Sequence, residues 1–258
     1  MCTLIATLAV MSKQSIAVTR VINSCVLLEL DGRVVLTDPW FTERWWLRRG
    51  EPLGLRIEEL PPLTAIVVTN IATNHWDLRA LRALPAKAST PLYVPTAGMA
   101  RRARALGFLR AERLRWGDSR DLAPGLSMRV VPAGRTAVFP NNAYAFEAAA
   151  GRVFFGGEIA DAEGLEAHKP VELALLPVNG LRSPLGQRLV MGPKEAIAGS
   201  VALGARVLVP VHDAHGEDPF SRMFRPRGTG ADAVRLAGND LVVADLPTGK
   251  RLELDEVS

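Results

Sequence analysis

Short apolar runs alternate with turn residues along almost the whole chain, and this pattern predicts β-strands joined by loops and helices. The run over residues 65–69 is apolar up to its final threonine, which predicts a strand buried on both faces. Asp31 and Gly32 stand between two such runs and predict a hairpin turn. The predicted strands cover residues 17–22, 25–30, 33–37, 65–69, 91–94, 127–131, 143–147, 152–155, 173–176 and 206–211, with two weak ones near 241–243 and 251–254.

Three segments carry helix signals instead. Asp77 is placed to cap a helix over residues 78–84, and Gly107 ends one over 97–106. Pro193 opens a third helix, over 193–203. Hairpin strands come first, strand–helix alternation follows, and the same sequence of elements then repeats. This order predicts an α/β fold in which two sheets pack together between outer helices.

No stretch of the chain reads as a linker, so we expect one domain over residues 1–258. Translation could equally begin at Met11, in which case the first ten residues carry no fold information, and we expect residues 1–15 to be either disordered or the product of an upstream start. Their apolar part is too short to span a bilayer and lacks the features of a signal peptide. We therefore expect no membrane association and a cytoplasmic location, which the two cysteines also fit.

Composition and charge narrow the picture only a little. Of the 258 residues, 48% are hydrophobic and 22% charged, which excludes a disordered chain and a disulfide scaffold. The net charge is small, at 31 − 27 = +4. Arginines concentrate between residues 101 and 115 but have few aromatic neighbours, so we interpret them as a solvated helix face and expect no nucleic-acid partner.

Several segments, taken in order, resemble the metallo-β-lactamase superfamily, and in particular its ascorbate-6-phosphate-lactonase-like branch. The similarity runs from about Val18 to Leu246. It implies the four-layer αββα sandwich of that superfamily. The segments that carry the resemblance are 23–32, 36–41, 60–69, 154–158, 175–180, 191–196 and 208–212.

The metal-binding motif departs sharply from the family pattern. The family has Ser/Thr-His-x-His-x-Asp-His, whereas residues 69–75 read Thr-Asn-Ile-Ala-Thr-Asn-His. Asn70 and Ala72 replace the first two histidines, and no histidine stands near Gly134, where the resemblance implies a third. An alanine methyl offers no donor and an asparagine amide is a poor one, so the first of the family's two metal sites cannot form.

The second metal site is only partly depleted. The resemblance implies a ligand set of which His75, Glu158 and His212 remain, while the motif aspartate has become Asn74. Two imidazoles and one carboxylate are the minimum for one divalent Zn, Mn or Fe ion with an open position. Glu158 is one methylene longer than the family's aspartate, so we expect its carboxylate ~1.5 Å further out, far enough to miss a metal. Alternatively, no metal binds and the three side chains pair structurally at the rim of the sheets.

Other candidates surround these three. Arg135 falls near the missing histidine and would suit a carboxylate or phosphate, unless it points to solvent. His215 either lines the same pocket or is an exposed loop residue. Five aromatic residues near the predicted mouth would form an apolar lid or a patch for self-association into a homo-oligomer. The lid candidates are Trp40, Phe41, Trp45, Trp46 and Trp76. Two of them, Trp40 and Trp76, are also predicted to contact substrate, as is Asn74.

Three functions remain open from the sequence. The resemblance implies a small-molecule hydrolase acting on an ester, lactone or amide with at most one metal. The first alternative is a metal-free pseudoenzyme that binds a ligand in the same pocket. The second is a metal-independent acid–base enzyme, such as a lyase, isomerase or cyclase, in which His75, Glu158 and His212 move protons.

Overall fold

Two seven-stranded mixed sheets form the centre of the molecule. The computed structural model describes residues 14–224 and 228–254, so the prediction for residues 1–15 falls mostly outside the described residues. The first sheet has the order β14-β1-β2-β3-β4-β5-β6. Its strands are β1 Ile16–Ile22, β2 Cys25–Leu30, β3 Arg33–Thr37, β4 Ala65–Val67, β5 Leu92–Val94, β6 Ala111–Arg113 and β14 Arg251–Glu253.

The second sheet has the order β13-β12-β11-β10-β9-β8-β7. In both sheets an antiparallel part continues into a parallel part, which runs from β3 to β6 in the first sheet and from β10 to β13 in the second. The strands of the second sheet are β7 Ser119–Ala123, β8 Leu126–Thr136, β9 Phe139–Ala148, β10 Gly151–Phe155, β11 Leu173–Pro177, β12 Val207–Val211 and β13 Val242–Val243.

Helices cover the outer face of each sheet. The first sheet shares a buried cluster with α1 and α2, and the second sheet shares one with α3 and α5. A third cluster joins the inner faces, where Val67 of one sheet and Phe155 of the other are fully buried. These layers confirm the predicted αββα sandwich. The helices are α1 Leu78–Ala83, α2 Ala97–Ala105, α3 Pro193–Ala202, α4 Pro219–Phe224 and α5 Gly230–Ala237.

The sequence pattern missed elements whose side chains are polar. Strand β7 lies at a sheet edge with no buried residue, so it lacks the apolar alternation of a strand. Strands β8 and β9 extend well beyond the predicted 127–131 and 143–147, up to Thr136 and from Phe139. Prolines and glycines discouraged that extension, and the strand accommodates them with an irregularity between Pro132 and Arg135.

Local signals elsewhere behave as predicted. The carboxylate of Asp77 accepts from the backbone N–H groups of Arg79 and Ala80, which caps α1. No helix among the described residues is both long enough and apolar enough to cross a bilayer.

A buried ion cluster ties the first strand to the loop that follows β12. The Arg20 side chain is only 4% exposed, and its guanidinium lies 2.5 Å from a carboxylate oxygen of Glu51 and 2.5 Å from one of Asp213. Asp213 directly follows His212, so this cluster helps to fix the backbone that delivers that histidine.

Replacing Arg20 should therefore destabilise the fold strongly. The Arg20→Met variant leaves two partly buried carboxylates without their counterion, and we expect the free energy of unfolding in urea to fall by about 3–5 kcal/mol. The matched control is Arg152→Met, which removes an exposed pair with Glu147 and should cost less than about 1 kcal/mol. Equal losses in the two variants would show that the buried cluster contributes nothing special.

Candidate metal centre

Four titratable side chains meet where strands of the two sheets end. Asp38 directly follows β3, and His75 lies in the loop after β4. Glu158 lies three residues beyond β10, and His212 directly follows β12. Because neighbouring parallel strands end at the same edge, their following loops converge there, as they do at the sites of other open α/β sheets.

Three of these residues place one donor atom each in a nearly equilateral triangle. The Nε2 atoms of His75 and His212 are 3.0 Å apart. The Oε1 atom of Glu158 lies 3.0 Å from the first and 3.1 Å from the second. The two imidazole rings are stacked at 22°, both are fully buried, and Glu158 is 9% exposed.

This triangle has the dimensions of a tridentate metal site. Two ligands that bind one cation at ~2.0–2.2 Å lie about 2.8–3.6 Å from each other. The three observed separations fall inside that interval, and within the part of the chain that is described this is the cluster of three that could hold a metal. The expectation that the extra methylene of Glu158 carries its carboxylate out of reach is therefore wrong.

Asp38 holds His75 from the side opposite the triangle. The Oδ2 of Asp38 lies 2.7 Å from the Nδ1 of His75 and accepts from the hydroxyl of Thr69 at 2.7 Å. Its Oδ1 accepts from the backbone N–H of Thr69, also at 2.7 Å. A carboxylate on Nδ1 keeps that nitrogen protonated and leaves Nε2 facing the other two donors, which is the usual outer partner of a metal-binding histidine.

Asp38 was missed as a functional residue by the sequence analysis. The available signal was an acid at the end of a buried strand, next to the strand that leads to the metal motif.

The oxygen of Glu158 that faces away from the triangle also has a partner, because the hydroxyl of Thr136 lies 3.3 Å from its Oε2.

The opposite charges in the cluster stabilise one another and shift the pKa values of His75 and Glu158. Burial alone would lower the pKa of His75, but the charges of Asp38 and Glu158 outweigh it and raise that pKa to about 10. Burial would raise the pKa of Glu158, but the charge on His75 and the hydrogen bond from His212 outweigh it and hold that pKa well below its usual range. Without a metal, the imidazolium of His75 is thus flanked by two carboxylates.

The second carboxylate changes the charge balance that the sequence suggested. The predicted ligand set has one carboxylate against a dication, but the structure adds Asp38 in direct contact with His75. Loss of the proton from His75 leaves two negative charges around the triangle, which match a divalent cation.

His215 lies behind His212, with ring centroids 5.1 Å apart. It is half-buried, and its Nδ1 is 3.1 Å from the hydroxyl of Ser221, which donates in turn to Asp218. Burial and the neighbouring histidines lower the pKa of His215 to about 3. His215 is therefore a neutral neighbour of the cluster and not an exposed loop residue.

The aromatic residues do not form the exposed lid that the sequence suggested. Trp40 and Phe41 are buried in the outer core of the first sheet, and the Trp40 ring lies 6.3 Å from that of His215. Trp45 is the exception, at 76% exposed. Trp76 is buried but lines a cavity of about 670 Å³ together with Phe139.

The region of the lost first metal site is occupied by backbone contacts. The Oδ1 of Asn70 accepts from the backbone N–H of Ala72 at 2.7 Å, and both Asn70 and Asn74 are buried. Arg135 is exposed and its guanidinium lies over the Trp116 ring, 5.1 Å from the centroid. No contact of Arg135 with the triangle is found among residues 14–224 and 228–254.

Removing the charge of Asp38 should lower the pKa of His75. The folded-state pKa of about 10 lies above the unfolded value of about 6.5, so protonation of His75 stabilises the fold fully below pH ~6.5. That contribution is lost as the pH rises to about 10, and the loss should be smaller in Asp38→Asn. The measurement is an NMR titration of the imidazole signals in EDTA, paired with urea unfolding at several pH values.

His168 serves as the internal reference for that titration, because it lies away from the cluster, with its ring against Phe154. An unchanged pKa of His75 in the Asp38→Asn variant would contradict the assigned role of Asp38.

Solved structures of other proteins share the fold at low sequence identity. The metallo hydrolase Igni18 of Ignicoccus hospitalis has a TM-score of 0.70 and 16% identity, over 93% of this chain and 98% of that one. An isothiocyanate hydrolase from Delia radicum gut bacteria has a TM-score of 0.72 and 19% identity, over 92% and 98%. The diiron β-hydroxylase CmlA of Streptomyces venezuelae has a TM-score of 0.68 and 14% identity, over 93% of this chain and 54% of that one.

Comparison of the amino-acid sequence with those of other proteins identifies both related proteins and a matching family. An uncharacterized protein of Mycobacterium tuberculosis is 29% identical over 212 residues, which are 74% of this chain and 56% of that protein. The chain thus spans little more than half the length of the curated relatives that it matches. A family model described as beta-lactamase superfamily domain matches residues 33–212. With its αββα sandwich, this chain belongs to the beta-lactamase superfamily domain family and has the metallo-β-lactamase fold.

Proposed function

We propose that this chain is a small-molecule hydrolase that uses one divalent cation, held by His75, Glu158 and His212. The observation that carries the proposal is the triangle of donor atoms, with sides of 3.0, 3.0 and 3.1 Å. The contact between Asp38 and the other nitrogen of His75 supports it, because metal-binding histidines usually have such a partner. The set of two imidazoles and one carboxylate suits Zn²⁺, Mn²⁺ or Fe²⁺.

The residues of the chain would divide the work between holding and orienting. When bound, a divalent cation supplies Lewis acidity that polarises an ester, lactone or amide carbonyl and favours ionisation of water. Asp38 keeps the Nε2 of His75 directed at the triangle, and Thr136 steadies the far oxygen of Glu158. The likeness to an isothiocyanate hydrolase supports hydrolysis at an electrophilic carbon on this fold.

The charges of the metal-free cluster disfavour the acid–base alternative. A proton-transfer group works best when its pKa is near the working pH. Here the pKa of His75 is raised to about 10 and that of Glu158 is held well below its usual range, so both side chains stay charged near pH 7. A pair held in one ionisation state exchanges protons poorly.

Metal content and activity test this proposal together. Protein purified without a chelating tag should bind about one equivalent of Zn²⁺ or Mn²⁺ and gain thermal stability, because a ligand that binds the folded state stabilises it. His212→Ala should lose both the metal and the hydrolysis of an ester and lactone panel. The matched control is His168→Ala, which lies outside the cluster and should retain both.

Three results would overturn the proposal. The first is less than about 0.2 equivalents of metal with no rise in melting temperature on adding either cation. The second is hydrolysis that persists in EDTA but is lost in His75→Ala, which would establish the acid–base alternative. Thermal shifts with small molecules but no turnover would instead establish a ligand-binding module.

Returning two histidines to the motif should not restore a second metal. In Asn70→His/Ala72→His the third donor is still missing, because the resemblance implies it near Gly134 or Arg135, and no histidine stands there. We expect elemental analysis of the folded double variant to give about one equivalent, as in the parent. Two equivalents would contradict the placement of the lost site.

A further inference from the structure

A second cavity, of about 490 Å³, lies on the other side of the β8–β9 hairpin from Thr136. Facing residues of an antiparallel pair share a face, and Thr136 pairs with Phe139, whereas Arg135 pairs with Pro140. Thr136 turns towards Glu158, and Arg135 and Pro140 therefore turn towards the cavity. The residues that line the cavity include Arg113, Arg115, Trp116, Arg135, Pro140 and Asn142.

Three arginines line this cavity, and none of them has a carboxylate partner among the described residues. Arg113 ends β6, Arg115 follows it, and Arg135 comes from β8, so two separate parts of the chain supply the charge. None of the three forms an ion pair with another described residue. Of the nearby acids, Glu112 pairs with Arg120, and Asp118 accepts the backbone N–H of Arg115 but forms no ion pair with the three arginines.

Contacts within the protein hold two side chains of the cavity, those of Arg135 and Trp116, in place. Arg135 lies over the face of the Trp116 indole and donates to the carbonyl of Val138 at 3.2 Å. The indole N–H donates to the carbonyl of Asn141 at 2.9 Å. A stacked guanidinium keeps most of its in-plane N–H groups available, so this arrangement offers donors at little cost in side-chain entropy.

Asn142 adds an unsatisfied polar atom beside the arginines. Its side chain is fully buried, and its Nδ2 donates to the carbonyl of Leu114 and the hydroxyl of Tyr144. Its Oδ1 has no hydrogen-bond partner among the described residues. A buried acceptor without a donor is costly, so this side chain is held in place by the two bonds that its Nδ2 donates.

We propose that this cavity binds a small molecule through an oxyanion, either a carboxylate or a phosphate. Guanidinium groups bind both by paired N–H···O contacts, and three of them without counterions favour an anion. The site is separate from the metal triangle, and the proposal stands whether or not the chain is a hydrolase. It connects to the triangle through adjacent residues of one strand, with Arg135 facing the anion and Thr136 touching Glu158.

The indole N–H of Trp116 offers a local probe of binding. Full-length protein is titrated with phenyl phosphate, benzoate or the neutral benzyl alcohol at fixed ionic strength, and the indole signals are followed by NMR. We expect the Trp116 signal to shift saturably with at least one of the two anions and not with the alcohol. The stronger of the two anions identifies the preferred oxyanion.

Substitutions then distinguish specific binding in the cavity from non-specific electrostatic attraction of anions to a basic surface. Arg135→Gln and Arg113→Gln should each weaken binding of the stronger anion by about tenfold or more, the loss of a charged hydrogen bond. The matched control is Arg110→Gln, an exposed arginine just before β6 that lies outside the cavity and should change the affinity less than about twofold. All three changes remove one positive charge.

Several outcomes would overturn the proposal. They are the absence of a saturable shift with either anion, an equal response to benzyl alcohol, and an equal loss of affinity in Arg110→Gln. Loss of the Trp116 shift on adding EDTA or in His75→Ala would place the anion on the metal instead. Persistence of the shift under both conditions supports the separate site even if no hydrolysis is found.

Discussion

The hydrogen bond between Asp38 and His75 is the interaction on which the candidate site depends. A buried imidazole beside a second imidazole and a carboxylate is costly unless its charge and tautomer are controlled. Asp38 does both from outside the triangle, at 2.7 Å, and is itself held by two hydrogen bonds from Thr69. Without Asp38, His75 would lack the partner that directs its Nε2 towards Glu158 and His212.

The fold supplies this arrangement at the ends of its strands. Asp38 and His212 directly follow β3 and β12, and both have left-handed backbone conformations, with φ of 37° and 62°. Such values are uncommon for residues other than glycine and persist only where the surroundings hold them. For His212, the contact between Arg20 and the neighbouring Asp213 is part of that restraint. The donor triangle therefore depends on the backbone that the strand ends and this ion pair hold in place.

Much of the architecture could be predicted, because strands that are buried on both faces have unmistakable apolar runs. The convergence of His75, Glu158 and His212 could be predicted from the order of the family-like segments. The reach of Glu158 could not, because it depends on the backbone after β10 and on the contact with Thr136. Asp38 was missed since its role comes from β3 and β4 lying side by side, a relation between segments 30 residues apart.

The β8–β9 hairpin illustrates the same limit. Pro132, Gly134 and Pro140 discourage a strand locally, yet the ladder continues past them to Thr136 and Phe139. That extension places Arg135 over Trp116 and in solvent, which was one of the two alternatives left open for it, and not near the vacated metal position that the resemblance implied. Arg135 therefore lines a cavity away from the triangle, because the pleat of the strand turns adjacent side chains to opposite faces.

Anomalous diffraction from crystals soaked with a saturating divalent cation tests the central claim most directly. The account predicts a single strong peak bounded by the Nε2 atoms of His75 and His212 and the Oε1 of Glu158, with Asp38 still on the far nitrogen of His75. A peak elsewhere with this triangle empty, or a second peak beside Asn70, would contradict it.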